Sequence, residues 1–293
     1  MKFFFRELKE QDIPQINEIS KNIWEGEDYV PYIIDDWLND EQSFNYGVFS
    51  DKEKTILIAF GRIKFLSESL YWLEGGRVRK DFQGKGIGTQ MMEFSLNYCK
   101  KNDIGIIQYD TASTNEASVA LAEKYGFQKK LSMYVLEASP KLNSLINTDS
   151  SDYKLVKKLD LETALSKYRE ILPEKQSEIC IGWSYIPLRL KHLKSNEWRW
   201  ISMNDGILHE ISKKRKNHIE GTEKSEIWFI TYGNVSSVEK LVKFAINDVK
   251  NREIINELDI FCEEKHLSSV KKLGFKFWED TRVKVVLFEK NVK

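Results

Sequence analysis

Cysteine and histidine are both scarce in this chain of 293 residues. The three cysteines are odd in number and far apart in sequence, which argues against a disulfide framework and against a cysteine metal site. The four histidines are His192, His209, His218 and His266. Their positions also lack the spacing typical of metal ligands. We therefore expect no metal, and the cysteine usage predicts a reducing, cytoplasmic setting.

Net charge and long hydrophobic runs are absent as well. Lysine plus arginine equals aspartate plus glutamate at 45 each, so no overall field favours nucleic acid or a membrane surface. The basic run at 213–218 is then best interpreted as a solvated loop. The apolar start at 3–5 is too short for a signal peptide, and no other stretch approaches a membrane-spanning length. We predict neither a nucleic-acid nor a membrane partner.

The bulk composition is that of a globular protein. Hydrophobic residues make up 41% and charged residues 31% of the chain, enough to bury real cores. A length of 293 residues favours about two domains.

The first half reads as alternating strands and helices. Ile13, Ile16, Ile19 and Ile23 recur at helical spacing and predict a helix over 11–24, with a second helix within 25–40. Apolar runs at 3–8, 44–49, 55–65, 70–78, 104–111 and 131–137 predict strands, and helices are predicted at 90–101 and 115–125. This alternation favours an α/β fold.

Between the strand at 70–78 and the helix at 90–101 stands Gln-Gly-Lys-Gly-Ile-Gly-Thr, residues 83–89. A strand that passes through a glycine loop into a helix presents unpaired backbone N–H groups at the positive end of the helix dipole, where phosphate binds. Glycines at 84, 86 and 88 fit neither the P-loop nor the dinucleotide-binding spacing.

Gln83-x-x-Gly86-x-Gly88 resembles the acyl-CoA pyrophosphate loop of the GCN5-related N-acetyltransferases (GNAT family). Upstream, Glu74 and Val78 match that family's acidic and thioester-side positions on the fourth strand. Downstream, residues 115–127 resemble its Asn-x-x-Ala-x-x-Leu-Tyr-x-x-x-Gly-Phe segment. The resemblance covers roughly residues 3–137. It implies a mixed, centrally splayed sheet flanked by helices.

The resemblance also implies acetyl-CoA as the cofactor. Its pyrophosphate would lie on the loop, its pantetheine arm would follow the splayed edge of the fourth strand, and an N–H near Val78 would polarise the carbonyl. The predicted cofactor contacts are Val78, Arg79, Gln83, Gly84, Lys85, Gly86, Ile87, Gly88, Thr89, Asn115 and Ser118. Two of them have plainer alternatives, since Asn115 fits a simple N-cap with Ser118 one turn on, and Lys85 fits a solvated loop.

Glu74 is the predicted general base, because amines arrive mostly protonated at neutral pH. The alternative is a strand carboxylate with a structural partner. Asp28, Asp35 and Asp36 are runners-up, although attracting a cationic acceptor or covering a helix surface suits them as well. The nearby aromatics, Tyr29, Tyr32 and Trp37, are equally explained by core packing.

The general acid is where the chain departs from the family pattern. Ala122 occupies the tyrosine position that follows the family's leucine. Tyr125, one turn away, is the predicted substitute, with Tyr134 as an outsider. Packing in the core is the alternative for Tyr125. A thiol titrates near ~8.5, so its thiolate can also leave without full protonation.

The second half repeats the order of strands and helices. Strands at 227–232, 257–262 and 282–289 and helices at 236–252 and 266–273 are predicted, and Lys272-Leu-Gly-Phe echoes Lys124-Tyr-Gly-Phe. This predicts an internal duplication, although packing alone can favour Gly-Phe at such turns. The second copy lacks the glycine loop, so we predict domains at 1–139 and 153–293, joined by a linker at 140–152, with the second one degenerate.

We therefore predict an acetyl-CoA-dependent N-acetyltransferase. The segment at 26–37 resembles family members that acetylate free amino acids or small amines, which favours a small-molecule acceptor. A protein or peptide acceptor and a non-catalytic acyl-CoA sensor remain as alternatives. The sequence leaves a homodimer open.

Overall fold

The computed structural model describes residues 2–102, 105–138, 154–193, 198–216, 221–249 and 256–292. The predicted linker at 140–152 lies outside the described residues.

The N-terminal half carries a strand-rich framework with helices inserted between the strands. In chain order its elements are β1 (Phe4–Glu7), α1 (Ile13–Ser20), α2 (Val30–Leu38), β2 (Ser43–Phe49), β3 (Leu57–Ser67), β4 (Leu70–Val78), α3 (Ile87–Lys101), β5 (Ile106–Ala112), α4 (Glu116–Lys124) and β6 (Gln128–Ala138).

The C-terminal half adds a hairpin and a second series of strands and helices. Its elements are β7 (Lys157–Leu159), α5 (Leu161–Ile171), β8 (Glu178–Cys180), β9 (Tyr185–Pro187), β10 (Trp198–Met203), β11 (Gly206–Lys216), β12 (Glu223–Gly233), α6 (Val235–Val249), β13 (Glu257–Cys262), α7 (Leu267–Lys272), β14 (Lys276–Phe277) and β15 (Lys284–Asn291).

The first helix is shorter than predicted. α1 ends at Ser20, and the segment Ile23–Gly26 forms a 3-10 turn in which Trp24 and Glu25 have φ of 48° and 56°. Residues in the left-handed region cannot continue a right-handed helix. The prediction of one helix to residue 24 was therefore wrong in its last turn.

Both faces of the N-terminal strands are covered by helices. One face buries Phe49 and Phe60 beneath α1 and α2, and the opposite face buries Ile63 and Ile107 beneath α3 and α4. Successive strand residues point to opposite faces, and each such side chain contributes about 1.5–3 kcal/mol when buried. The strands thus form the middle layer of an α/β sandwich.

The two halves share one sheet. Its strands hydrogen-bond in the order β1-β2-β3-β4-β5-β15-β6-β13-β12-β11-β10-β7, with β14 also paired to β6, while β8 and β9 form a separate hairpin. β15, the last strand of the C-terminal half, lies between β5 and β6, and β6 in turn lies between β15 and β13. The division into domains at 1–139 and 153–293 stays a prediction. What the topology adds is that each half pairs its last strand with the other half.

β4 and β5 are parallel and separate after three residue pairs, the last of which is Trp72 with Gln108. Among the residues that the structure describes, the rest of β4, through Val78, has no strand partner on that side, so a gap opens between β4 and β5. In the C-terminal half β12 and β13 are also parallel, yet they stay paired along all of β13. The splay predicted for the sheet is therefore present in the N-terminal half and not between β12 and β13.

The repeated Gly-Phe pair has a clear local role in each half. Gly126 and Gly274 have φ of 71° and 93° directly after α4 and α7, a left-handed position that favours glycine. Phe127 and Phe275 are buried in the two cores. Because the element order repeats as well, the structure fits a duplication, while the Gly-Phe pairs alone are explained by helix ending and packing.

The basic run at 213–218 is not a loop over its described part. Residues 213–216 end β11 and pair with β12, with Lys213 opposite Glu226 and Lys216 opposite Glu223. The loop prediction was wrong there because backbone pairing with a neighbouring strand outweighs the polar composition. His218 lies outside the described residues.

Within the described ranges no helix is long and apolar enough to cross a membrane. The same ranges contain no cluster of His, Cys, Asp and Glu that could hold a metal.

Candidate active site

The glycine loop has the backbone shape that phosphate binding needs. Gly84 and Gly86 have φ of 73° and 76°, values that favour glycine. A Cβ added at either residue would meet no atom within 4 Å. The loop therefore faces open space, and its glycines are required by backbone conformation.

α3 begins at the end of this loop. Gly86 is its N-cap, and the first helical hydrogen bond runs from Gln90 N–H to the Gly86 carbonyl at 3.2 Å. The N–H groups of Ile87, Gly88 and Thr89 precede that bond and have no acceptor within the helix. Together with the dipole of a 15-residue helix, they form a site suited to an anion.

Gln83 closes the loop onto the strand. Its Nε2 donates to the carbonyl oxygen of Val78 at 3.2 Å. One residue on, Arg79 N–H donates to the Ile58 carbonyl on β3. Because successive amides of a strand point to opposite edges, the Val78 N–H points away from β3 and toward the gap.

Two cations lie beside the loop. Arg79 binds both carboxylate oxygens of Asp81, at 2.7 and 2.9 Å, and its guanidinium lies over the ring of Phe82. Lys85 Nζ lies 4.6 Å from the centroid of the same ring. Lys85 is therefore placed at the mouth of the loop, whereas Arg79 is engaged with Asp81.

Asn115 caps α4 as its sequence position suggested. Its Oδ1 accepts the Ser118 N–H at 3.2 Å. Packing of α4 against α3 is close, since a Cβ on Gly88 would lie 3.5 Å from Leu121. The capping role of Asn115 is thus present, and a cofactor contact stays a prediction.

Glu74 lies in the gap region of β4, directly opposite Arg62 on β3. Arg62 Nη1 lies 3.0 Å from Glu74 Oε1, and Arg62 Nη2 pairs with Asp40. The register slips just after Glu74, at Gly75 and Gly76, which is a β-bulge. Glu74 thus has a structural partner, the alternative that its sequence position left open.

A bulge at this point needs glycine. Gly75 has φ of 66°, and an added Cβ would lie 2.2 Å from the Trp37 ring. Trp37 is a buried residue of α2 itself, so β4 and α2 approach closely here.

A second carboxylate, which sequence reasoning missed, lies across the gap. Continuing the Trp72–Gln108 register by two residues places Glu74 opposite Asp110 on β5, and the two carboxylates act on each other electrostatically. Asp110 Oδ2 accepts hydrogen bonds from Ser184 Oγ at 2.6 Å and from Tyr185 N–H at 2.9 Å. The signal that could have found it is the pair of polar residues, 108 and 110, at alternate positions of an apolar strand.

The donors to Asp110 come from the C-terminal half. The β8–β9 hairpin and its turn cover this face of β5, and Gln108 donates to Glu178 of the same hairpin at 2.8 Å. Lys224 at the start of β12 also bridges to Glu27, at 3.1 Å. The C-terminal half therefore forms a wall of the site.

The segment between α1 and α2 forms another wall. Asp28 is fully buried and binds Arg77 through two hydrogen bonds, at 3.0 and 2.8 Å. The Arg77 guanidinium lies 4.7 Å from the ring centroid of Trp24 and 5.4 Å from that of Tyr29. Trp24, at 58% exposure, presents an aromatic surface to solvent.

The surroundings of the other candidate residues in this segment are as follows. Asp28 serves as the partner of a buried arginine, while Asp35 and Asp36 are exposed on α2. Core packing was correct for Trp37 and wrong for the exposed Tyr29 and Tyr32.

Ala122 and Tyr125, the two positions considered for a general acid, have different surroundings. Ala122 is fully buried in the core under α3 and α4. The Tyr125 hydroxyl donates to Glu93 on α3 at 2.7 Å, and this hydrogen bond raises the pKa of Tyr125 to about 12. Tyr134 lies elsewhere in the sheet, where its hydroxyl meets Glu264 and Arg282.

The C-terminal half has no equivalent of the loop between β12 and α6. Gly233 passes directly into Asn234, whose Oδ1 caps α6 by accepting the Ser237 N–H at 2.8 Å. A Cβ on Gly233 would lie 2.0 Å from the carbonyl of Asp205. This helix N-terminus is closed by the protein's own groups.

Residues 10–127 match the model of the acetyltransferase (GNAT) family. The match covers most of the N-terminal half, which is therefore of the GNAT N-acetyltransferase type. GNAT enzymes use acetyl-CoA as the acyl donor. No curated protein matches the sequence.

Solved GNAT structures share the fold along the whole chain. A GCN5-related N-acetyltransferase from Sphaerobacter thermophilus matches with a TM-score of 0.64 and 13% identity, covering 99% of this chain and 96% of that one. A putative acetyltransferase from Thermoplasma acidophilum matches with a TM-score of 0.62 and 14% identity, over 98% and 99%. A tandem GNAT protein from the clavulanic acid biosynthesis pathway matches with a TM-score of 0.57 and 8% identity, over 100% and 99%. The predicted tandem arrangement of GNAT-like folds is thereby confirmed.

Proposed function

We propose that this GNAT enzyme acetylates the amine of a small molecule or an amino acid. The observation that carries the proposal is the hairpin of the C-terminal half, which covers β5 beside the gap and hydrogen-bonds Asp110. A peptide acceptor needs an open groove along the sheet. With α1–α2 on one side and the hairpin on the other, a compact acceptor fits better.

The N-terminal half has the features to hold acetyl-CoA. The loop at 83–89 offers unpaired amides and open space for a pyrophosphate, and the free edge of β4 offers hydrogen bonds to an extended pantetheine arm. When bound, acetyl-CoA supplies an acetyl thioester. The Val78 N–H would then lie where it can donate to the thioester oxygen, a type of contact worth about 10²–10³ in rate in other enzymes.

Alignment supplies most of the remaining catalysis. Fixing the donor on the loop and the acceptor between the walls removes translational freedom, which can lower a barrier by several kcal/mol. No acid from α4 is needed in this proposal, because Tyr125 is engaged with Glu93 and a thiolate is a tolerable leaving group.

The base assigned to Glu74 from sequence stays a prediction. Its carboxylate is held by an ion pair with Arg62. Three free cysteines, all buried, support the proposed reducing cytoplasmic setting.

Thiol release from acetyl-CoA, measured over amino acids, polyamines, aminoglycosides and peptides, tests the proposal. We expect turnover with a small amine and little with peptides longer than a few residues. Faster turnover with peptides would contradict it, and acetyl-CoA binding without thiol release from any acceptor would favour the sensor alternative.

A further inference from the structure

We propose that Asp110, held in place by the C-terminal half, accepts the proton of the acceptor's ammonium group. This inference rests on the proposed function and names the group that prepares the amine for attack. It also gives the C-terminal half, which lacks a phosphate loop, a direct role in the site.

The geometry leaves one oxygen of Asp110 available. Oδ2 takes both hydrogen bonds, from Ser184 and Tyr185. Oδ1 has no hydrogen-bond partner in the part of the chain that the structure describes. The carboxylate is therefore fixed by one oxygen and free at the other, beside the gap where the thioester would lie.

Glu74 and Asp110 differ in their countercharges. Glu74 is ion-paired to Arg62, whereas the polar partners of Asp110 are a hydroxyl and a backbone amide. A carboxylate without a cation at contact distance holds a proton more readily. The surroundings of Asp110 thus suit a proton acceptor.

Burial raises the pKa of Asp110 to about 7, the hydrogen bonds from Ser184 and Tyr185 oppose that rise, and the charge of Glu74 adds to it. A base acts best when its pKa lies near the working pH.

The other titratable groups that interact with Asp110 come from two elements. They are Tyr29 at the start of α2, and Cys180 and Tyr185 in the hairpin. Burial raises the pKa of both the Cys180 thiol and the Tyr185 hydroxyl above its ordinary value. All three are neutral near pH 7, so Glu74 remains the charge that tunes Asp110 there.

The chemistry balances as follows. Asp110 Oδ1 takes one proton from the ammonium group, which gives a neutral amine and a carboxylic acid. The nitrogen lone pair then forms the C–N bond to the acetyl carbon while the C–S bond breaks and its electron pair leaves on sulfur. The second nitrogen proton goes to the departing thiolate or to water, and Asp110 returns its own proton to solvent.

The first test does not depend on the acceptor. A carbon NMR titration of protein labelled at aspartate carboxyl groups should show one carboxyl titrating near pH 7, and that signal should be lost in Asp110→Asn. The amide oxygen can still accept from Ser184 and Tyr185, so the variant keeps its hairpin contacts. If Asp110 instead titrates near ~4 like an ordinary aspartate, the proposal is overturned.

The second test uses acetylation of two probe amines, spermidine and hydroxylamine. Spermidine is protonated at neutral pH, while hydroxylamine is largely neutral and needs no base. Asp110→Asn should lower kcat/KM for spermidine at pH 7 by about 10²-fold, leave hydroxylamine nearly unaffected, and keep acetyl-CoA affinity. Glu18→Gln, which removes an exposed charge on α1, is the matched control.

Ser184→Ala distinguishes a base from a purely structural residue at position 110, because only a base shifts the pH dependence of the rate. Losing that hydrogen bond raises the pKa of Asp110, so the rising limb of the rate against pH should shift to higher pH. Equal losses for both probes, or an unshifted limb, would overturn the proposal. If no acceptor gives thiol release with the wild type, the proposed function fails, and the NMR titration alone decides whether Asp110 is basic.

Discussion

Ser184 of the C-terminal half donates a 2.6 Å hydrogen bond to Asp110 on β5 of the N-terminal half. The two residues are 74 positions apart in sequence, and the bond links the hairpin to the edge of the gap. A half that lacks a phosphate loop therefore still shapes the site where the acceptor is expected. This link connects the fold to the choice of acceptor.

Gly86→Asp should abolish acetyl-CoA binding. The substitution places a carboxylate at the start of α3, where the phosphates are expected, and like charges repel. Calorimetry with acetyl-CoA measures the effect. Gly221→Asp is the matched control, because Gly221 has a similar φ of 68° and open space around it but lies outside the loop. Equal affinity of the Gly86 variant and the wild type would refute the loop as the cofactor site.

Glu74→Gln should change the pH dependence more than the maximum rate. Removing the charge of Glu74 lowers the pKa of Asp110, so the rising limb of kcat/KM should move to lower pH. Arg62 keeps Asp40 as a partner, so the fold should survive. If Glu74 is itself the base, turnover at pH 7 should fall by about 10²-fold and recover partly at high pH, where amines deprotonate unaided.

Tyr125→Phe should leave kcat nearly unchanged. The hydroxyl donates to Glu93, and both side chains lie at the surface of α3 and α4. Losing that bond should lower the free energy of unfolding by about 1 kcal/mol or less. Steady-state kinetics and thermal unfolding measure the two effects. A large drop in kcat with unchanged acetyl-CoA affinity would instead make Tyr125 the acid.

Ala122→Tyr should destabilise the protein and not raise its activity. Ala122 is fully buried in the core under α3 and α4, and adding large groups to a packed core costs about 1–3 kcal/mol or more. Thermal unfolding should show a clear decrease in Tm, with Ala120→Tyr on the exposed face of α4 as the control. A stable and faster Ala122 variant would show that the position opens to the site.

The parts predicted well from sequence are those fixed by local chemistry. Gly84 and Gly86 require left-handed φ, and a strand, a loop and a helix follow one another within residues 70–101. Such a unit depends on neighbours in the chain, so its pattern is visible in the residues themselves.

The parts that were missed depend on distant contacts. Asp110 is an ordinary strand residue until the hairpin some 70 residues later covers it. Residues 213–216 read as a polar loop until β12 pairs with them. The shortening of α1 comes from Trp24 and Glu25 in left-handed conformations, which neither residue type favours by itself.

The position of β15 was also invisible in the sequence. The order of elements predicted a repeat. It did not show whether the last strand of each half pairs with strands of its own half or with strands of the other half. Strand exchange between two similar sheets leaves the local pattern of each strand unchanged. The strand exchange can be tested with fragments of the chain.

The N-terminal half should not be stable alone. A fragment of residues 1–138 lacks β15, which pairs with β5 from Val285 to Asn291 and with β6 on its other side. Its edges at β5 and β6 would be left open, and open edges favour aggregation. We expect the fragment to be aggregated by gel filtration and to bind acetyl-CoA poorly.

Co-expression of residues 139–293 as a separate chain should restore both the solubility of the fragment and its binding of acetyl-CoA. It returns β15 to the place between β5 and β6, together with the hairpin that holds Asp110. The matched control is the same second chain ending at residue 283, which lacks β15 but keeps the hairpin, and it should fail to rescue. A monomeric fragment 1–138 that binds acetyl-CoA as tightly as the full chain would show that β6 can pair with β5 directly. The exchange of strands would then occur only when both halves are present.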